Sequence, residues 1–116
     1  MNKLNLVSYN VHGLNLSIKR KNTLNQLKKL QCSIVFYASY GKMRGVSILI
    51  GKGTPIKVEK DIKDNTELYI MIAGSIGDMT VSVLNVFAPS EEKETFFKQI
   101  LKVITSEAKG MLLMGG

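Results

Sequence analysis

Lys42 and Arg44 sit in a short basic turn, Tyr40-Gly41-Lys42-Met43-Arg44-Gly45, bracketed by glycines. Two cations on a turn could meet the phosphates of a nucleic-acid backbone, or could form an ordinary solvated turn. They belong to a wider pattern. The first 58 residues hold ten bases (Lys3, Lys19, Arg20, Lys21, Lys28, Lys29, Lys42, Arg44, Lys52, Lys57) and no Asp or Glu, while the rest hold six bases and nine acids. Such a half fits a polyanion such as nucleic acid, and a lysine-rich solvated surface accounts for the same charges. The asymmetry also limits metal chemistry, because no carboxylate ligand can come from the first half. Of the nine acids, Asp61, Asp64 and Asp78 read as turn residues and Glu91, Glu92 and Glu94 as the first turn of a helix. Glu59, Glu67 and Glu107 read as exposed, and no spacing among the nine demands a metal. Cys32 is the single cysteine, which excludes an internal disulfide and a zinc site built on several cysteines. It reads as a small, partly buried residue. The expected location is intracellular, nucleus or cytoplasm.

The elements that must position these residues follow from periodicity. A chain of 116 residues with 45% apolar content is expected to form one small globular domain with little stability to spare. It has no apolar run of about 18 residues that would cross a membrane, and its start is too polar for a signal peptide. Residues 3–9 read as a strand, broken by Asn10-Val11-His12-Gly13. From about Ser17 to Gln31 the pattern is helical, with Leu24, Leu27 and Leu30 on one face. Strands are then expected at 33–38, 46–50 and 56–60, with a buried central strand at 68–73. Gly74-Ser75-Ile76-Gly77-Asp78 reads as a hairpin connection into a strand at 79–86. Ser90 is a candidate helix cap, Phe97, Ile100, Leu101, Ile104 and Ala108 form the expected apolar stripe, and Gly110 is the expected C′ residue. Met111–Met114 reads as a final strand. The expected order is β-α-β-β-β-β-β-α-β, with no repeat, linker or domain boundary, and the class is α/β or α+β.

Four segments in this order resemble one family. Ser8-Tyr9-Asn10-Val11-His12-Gly13-Leu14 is followed by a basic helix starting Ile18-Lys19-Arg20-Lys21, and Arg44-Gly45-Val46-Ser47-Ile48-Leu49-Ile50 forms a strand. Leu84-Asn85-Val86-Phe87-Ala88-Pro89 ends another strand, and Met111 to Gly116 form the last. Together they resemble the endonuclease/exonuclease/phosphatase superfamily. More narrowly, they are similar to the apurinic-endonuclease-like domain of long-interspersed-type (non-LTR) retrotransposons, where a nick primes reverse transcription. The resemblance implies a two-sheet β-sandwich flanked by helices, of which this chain would be the N-terminal half. It implies hydrolysis of a DNA phosphodiester with Mg²⁺ held by a carboxylate, and an Asp and a His that activate water.

Residue by residue, the resemblance assigns Asn10 to a position contacting phosphate and metal-bound water. His12 stands in a loop on the substrate side, where relatives often have Asn. Phe87, the other substrate-side residue that the resemblance implies, stands where the family commonly has a Tyr, so the ring remains without its phosphate-touching hydroxyl. Lys42 and Arg44 are the candidate DNA contacts. The family's Gln-Glu pair after the second strand has no counterpart beside Phe36-Tyr37, as though that segment were deleted near 36–37. The expected Asp-Phe-Asn would come immediately after Gly116, where the sequence given stops. The expectation is therefore a partial domain over 1–116, an endonuclease fragment inactive as this chain. Mg²⁺ is implied by the family, yet no metal ligand can be named. The alternative is a non-catalytic basic α/β module that binds nucleic acid. DNA is the expected partner, held weakly by charge, with no membrane, no small-molecule cofactor and self-association through exposed sheet.

Overall fold

A computed structural model of the chain describes residues 4–12, 21–22, 25–26, 29, 33–40, 45–65, 68–88, 91 and 93–115. The fold is mixed α/β and mostly strand, with two sheets as the sequence leads one to expect. Backbone contacts divide it into two compact units, 1–54 and 55–116.

The first unit holds a three-stranded sheet in the order β1(Leu6–His12), β2(Ile34–Tyr40), β3(Gly45–Ile50). β2 is central because it is the most apolar of the three, with Ile34, Val35, Phe36 and Ala38 buried. It pairs in parallel with β1 over seven residues and antiparallel with β3 over six. A parallel pair needs a long crossover. Within that crossover the described residues Lys21, Asn22, Asn25, Gln26 and Lys29 are helical and exposed, while Leu24, Leu27 and Leu30 lie outside the described residues. Ser33 clamps the sheet's lower end. Its N–H donates to the Asn5 carbonyl (2.9 Å), and its Oγ accepts from the Asn5 N–H (3.1 Å). Its own carbonyl accepts from the Gly51 N–H (2.7 Å) and from Thr54 Oγ1 (3.1 Å).

The second unit holds a four-stranded sheet in the order β4(Ile56–Lys63), β5(Tyr69–Ile76), β6(Met79–Val86), β7(Met111–Gly115). β4, β5 and β6 form an antiparallel meander, and β7 joins β6 in parallel after the helix α1(Lys93–Glu107). β6 is the spine of this sheet, buried at every position from Val81 to Val86. On one face Tyr69, Met71, Leu84 and Val86 pack against Phe96 and Ile100 of α1, with Ile62, Val103, Ile104 and Leu112 around them. The opposite face carries Ile72, Ile76, Val81 and Val83, all buried.

Four expectations need correction. β4 continues to Lys63 through a register shift between Val58 and Lys60, so Asp61 is an exposed strand residue and not a turn residue. β5 continues to Ile76 and only Gly77-Asp78 turns, with Gly77 at φ +59°. Gly74 is thus a strand glycine, needed because a Cβ there would collide with the Lys57 carbonyl oxygen of the neighbouring strand. The helix buries Phe96 and exposes Phe97 and Leu101. Adjacent phenylalanines offer the helical period two faces, and contact with Tyr69 and Leu84 selects the first. Finally, α1 ends at Glu107, so Gly110 is not its C′ residue. Gly110 adopts φ +69° in the turn to β7, where a Cβ would run into the Thr80 carbonyl.

Candidate nucleic-acid interface

Asn10 and His12 belong to the parallel pair of the first unit. Asn10 stands opposite Ala38 and His12 opposite Tyr40, at the C-terminal end of β1. This corrects the expected loop position of His12. The strand does not break at Asn10, because β2 runs on to Tyr40 and offers backbone partners along the whole way. Asn10 and His12 are therefore fixed by a sheet ladder, two residues apart on one strand. Lys42 and Arg44 lie outside the described residues, on the connection from β2 to β3.

Phe87 belongs to the second unit, immediately after β6. Its N–H donates to the Leu68 carbonyl at 2.7 Å, extending the β5–β6 ladder by one step, and its side chain is half-buried. Phe87 thus anchors the strand end through its backbone. Asn85, two residues earlier, was not singled out from sequence as a site residue. It is almost fully buried, opposite Ile70 on one side and Gly115 on the other. Among the described residues it and Ser82 are the buried polar side chains, and no buried side-chain polar atom lacks a partner. A polar residue inside an apolar strand was the signal that could have found it. Ser82 has a structural task, since its Oγ donates to the Lys109 carbonyl and accepts from the Lys109 N–H, both at 2.9 Å.

Charge separates the units. Residues 1–54 contain nine bases and no acid, and residues 55–116 contain seven bases and nine acids, which together give the net +7. The acids of the second unit are dispersed. Asp64 accepts from the Leu68 N–H (3.3 Å) and closes the β4–β5 turn. Glu107 pairs with Lys60 Nζ at 2.9 Å and Glu94 with Lys98 at 3.4 Å, both exposed pairs worth about 0–1 kcal/mol. Glu59 and Asp61 lie exposed on β4, and Asp78 lies in the hairpin turn.

Mg²⁺ prefers oxygen ligands in near-octahedral geometry and usually one or two carboxylates. Among the described residues no three His, Cys, Asp or Glu side chains come together in a way that could hold a metal. The unit that carries Asn10 has no carboxylate at all. The donor set of the described residues therefore does not fit the Mg²⁺ that the sequence resemblance implies. What the arrangement can do chemically is attract a polyanion to a basic unit. No helix among the described residues is long and apolar enough to cross a membrane.

No family model matches the chain. Among solved structures, the chain is similar to truncated Caenorhabditis elegans TDP2, with a TM-score of 0.62 and 17% sequence identity. The match covers 94% of this chain and 60% of the TDP2 chain, so this chain spans less than two thirds of that protein's length. At that identity the likeness is one of fold alone.

Proposed function

We propose that this chain is a DNA-binding protein of the endonuclease/exonuclease/phosphatase fold, of the retrotransposon endonuclease type, that keeps the scaffold of phosphodiester hydrolysis without its catalytic groups. The observation that carries this reading is the composition of the unit around Asn10: nine bases and no carboxylate. Nine cations favour contact with a phosphate backbone through counterion release. Within that unit no carboxylate anchors a hard cation or serves as the base for an attacking water. Asn10 alone supplies hydrogen bonds, which fall far short of the many kcal/mol that phosphodiester cleavage requires. The fold likeness to TDP2 supports the scaffold half of the proposal. In this reading Asn10 and His12 stand on the substrate side, Phe87 packs beside the strand end, and Lys42 and Arg44 touch the backbone of the nucleic acid.

The test combines cleavage with binding. Supercoiled plasmid is incubated with the chain in Mg²⁺, in Mn²⁺ and with chelator, beside an Asn10→Ala control. Binding of labelled duplex is followed by anisotropy across a salt series. The expected result is no nicking, with binding that weakens as salt rises. Replacing Lys42 and Arg44 together by alanine lowers the slope of log K against log salt by about two. Metal-dependent nicking lost in Asn10→Ala overturns the inactivity. Absence of binding at low salt overturns the role of DNA.

A further inference from the structure

The sheet of the second unit ends in two unlike edges. β4, at one edge, carries Lys57, Glu59, Lys60, Asp61 and Lys63, and its register shifts between Val58 and Lys60. Charges and a bulge are devices that keep an edge from pairing with another chain. β7, at the other edge, has neither. Met111-Leu112-Leu113-Met114-Gly115 contains no charge and no proline, and pairs with β6 without interruption. Its outer side pairs with no strand among the described residues. Met111 and Met114 are 48% and 50% exposed.

The flank of α1 beside this edge is apolar too. Gln99 hydrogen-bonds Tyr69 of β5 and Glu107 reaches Lys60 of β4, so that side of the helix overlooks β4 and β5. Leu101 lies about 160° around the helix from Gln99 and about 120° from Glu107, on the β7 side. Phe97, one turn earlier, shares that side. The two are 47% and 62% exposed, Phe97 the less. Met114 shares a face of β7 with Leu112, which packs against the helix. An uncharged strip of Phe97, Leu101 and Met114 therefore borders an open backbone edge.

We propose that β7 is the interface through which two copies of this chain pair, antiparallel across a two-fold axis with Leu113 opposite its counterpart. The open edge demands a β-strand for its backbone groups, and the bordering strip demands an apolar, uncharged one. β7 itself meets both demands, as an isologous contact requires. The symmetry sets the two α1 helices antiparallel with their Phe97 and Leu101 flanks facing, which opposes their dipoles. It also brings Glu91 and Glu94, exposed at one helix start, toward the exposed Lys109 beyond the end of the other. The unit that pairs holds nearly balanced charge, since the basic excess lies in residues 1–54. This inference is independent of DNA binding.

Sedimentation equilibrium of the whole chain over a wide concentration range tests it, beside Met114→Lys, Leu101→Lys and the opposite-edge control Val58→Lys. The wild type is expected to be a monomer–dimer system. Met114→Lys and Leu101→Lys each weaken the dimer by about tenfold or more, and Val58→Lys leaves it unchanged. All three positions are exposed, and circular dichroism checks that each variant folds. A second readout needs no variant: exchange of the amides of residues 111–115 slows as concentration rises. A monomer at every concentration, open-ended assembly, equal weakening by Val58→Lys, or exchange at 111–115 that ignores concentration each overturns the proposal.

Discussion

At the scale of single residues, the turn between α1 and β7 is held by two contacts that permit almost no substitution. Gly110 combines φ +69° with a close approach to the Thr80 carbonyl, and Ser82 makes two hydrogen bonds to the backbone of the adjacent Lys109. Gly110→Ala must both strain the backbone and push the turn off β6. The expected cost is about 2–4 kcal/mol, seen as a lower urea midpoint at unchanged slope. A loss below about 0.5 kcal/mol would mean the turn moves freely. Sequence alone marked Gly110 as special and assigned it the wrong task, because a helix-ending glycine and a close-approach glycine look the same without the neighbouring strand. Asn10, His12 and Phe87 were legible as members of motifs. The strand position of His12 was not, since a strand end is set by where its partner stops.

At the scale of elements, α1 rests on β5 partly through Tyr69. Burial raises the Tyr69 pKa above its ordinary value, the nearby Asp64 charge raises it further, and the hydrogen bond to Gln99 lowers it. The folded state therefore holds the phenolic proton more tightly than the unfolded chain does. The stability this contributes is complete below about pH 10 and is lost as pH rises through the higher folded value. Melting across pH 8 to pH 11 is expected to show a fall above about pH 10 that Tyr69→Phe reduces; an identical fall in Tyr69→Phe would assign it to the lysines. All seven strands were legible, because each is a short β-rich run between turn residues. Their ends were less so. β4 and β5 run past their expected limits because they extend each other by pairing. The inward face of α1 was ambiguous at Phe96-Phe97, where only the partner sheet decides.

At the scale of the whole molecule, the charge map and the carboxylate map point the same way. The described acids are spent on turns, exposed pairs and the β4 edge, so the described residues bring no group of carboxylates together for Mg²⁺. The chain's melting temperature is expected to stay the same in millimolar Mg²⁺ and in chelator. A site occupied at a hundred times its dissociation constant would add about 2.7 kcal/mol, a shift that calorimetry detects readily.

The route from β6 to β7 has a consequence for how the second unit assembles. β5 meets β6 across a two-residue turn, whereas β7 reaches β6 only after the 24 residues between Val86 and Met111 have been laid out and coiled. Short-range pairing closes sooner than long-range pairing, so the three-stranded meander forms first. For that interval the bare flank belongs to β6, the most buried strand of the sheet, and not to β7. Correct assembly then becomes a race between a helix folding back on its own sheet and capture by another molecule. Its outcome depends on concentration and time, and no gain in native stability changes it.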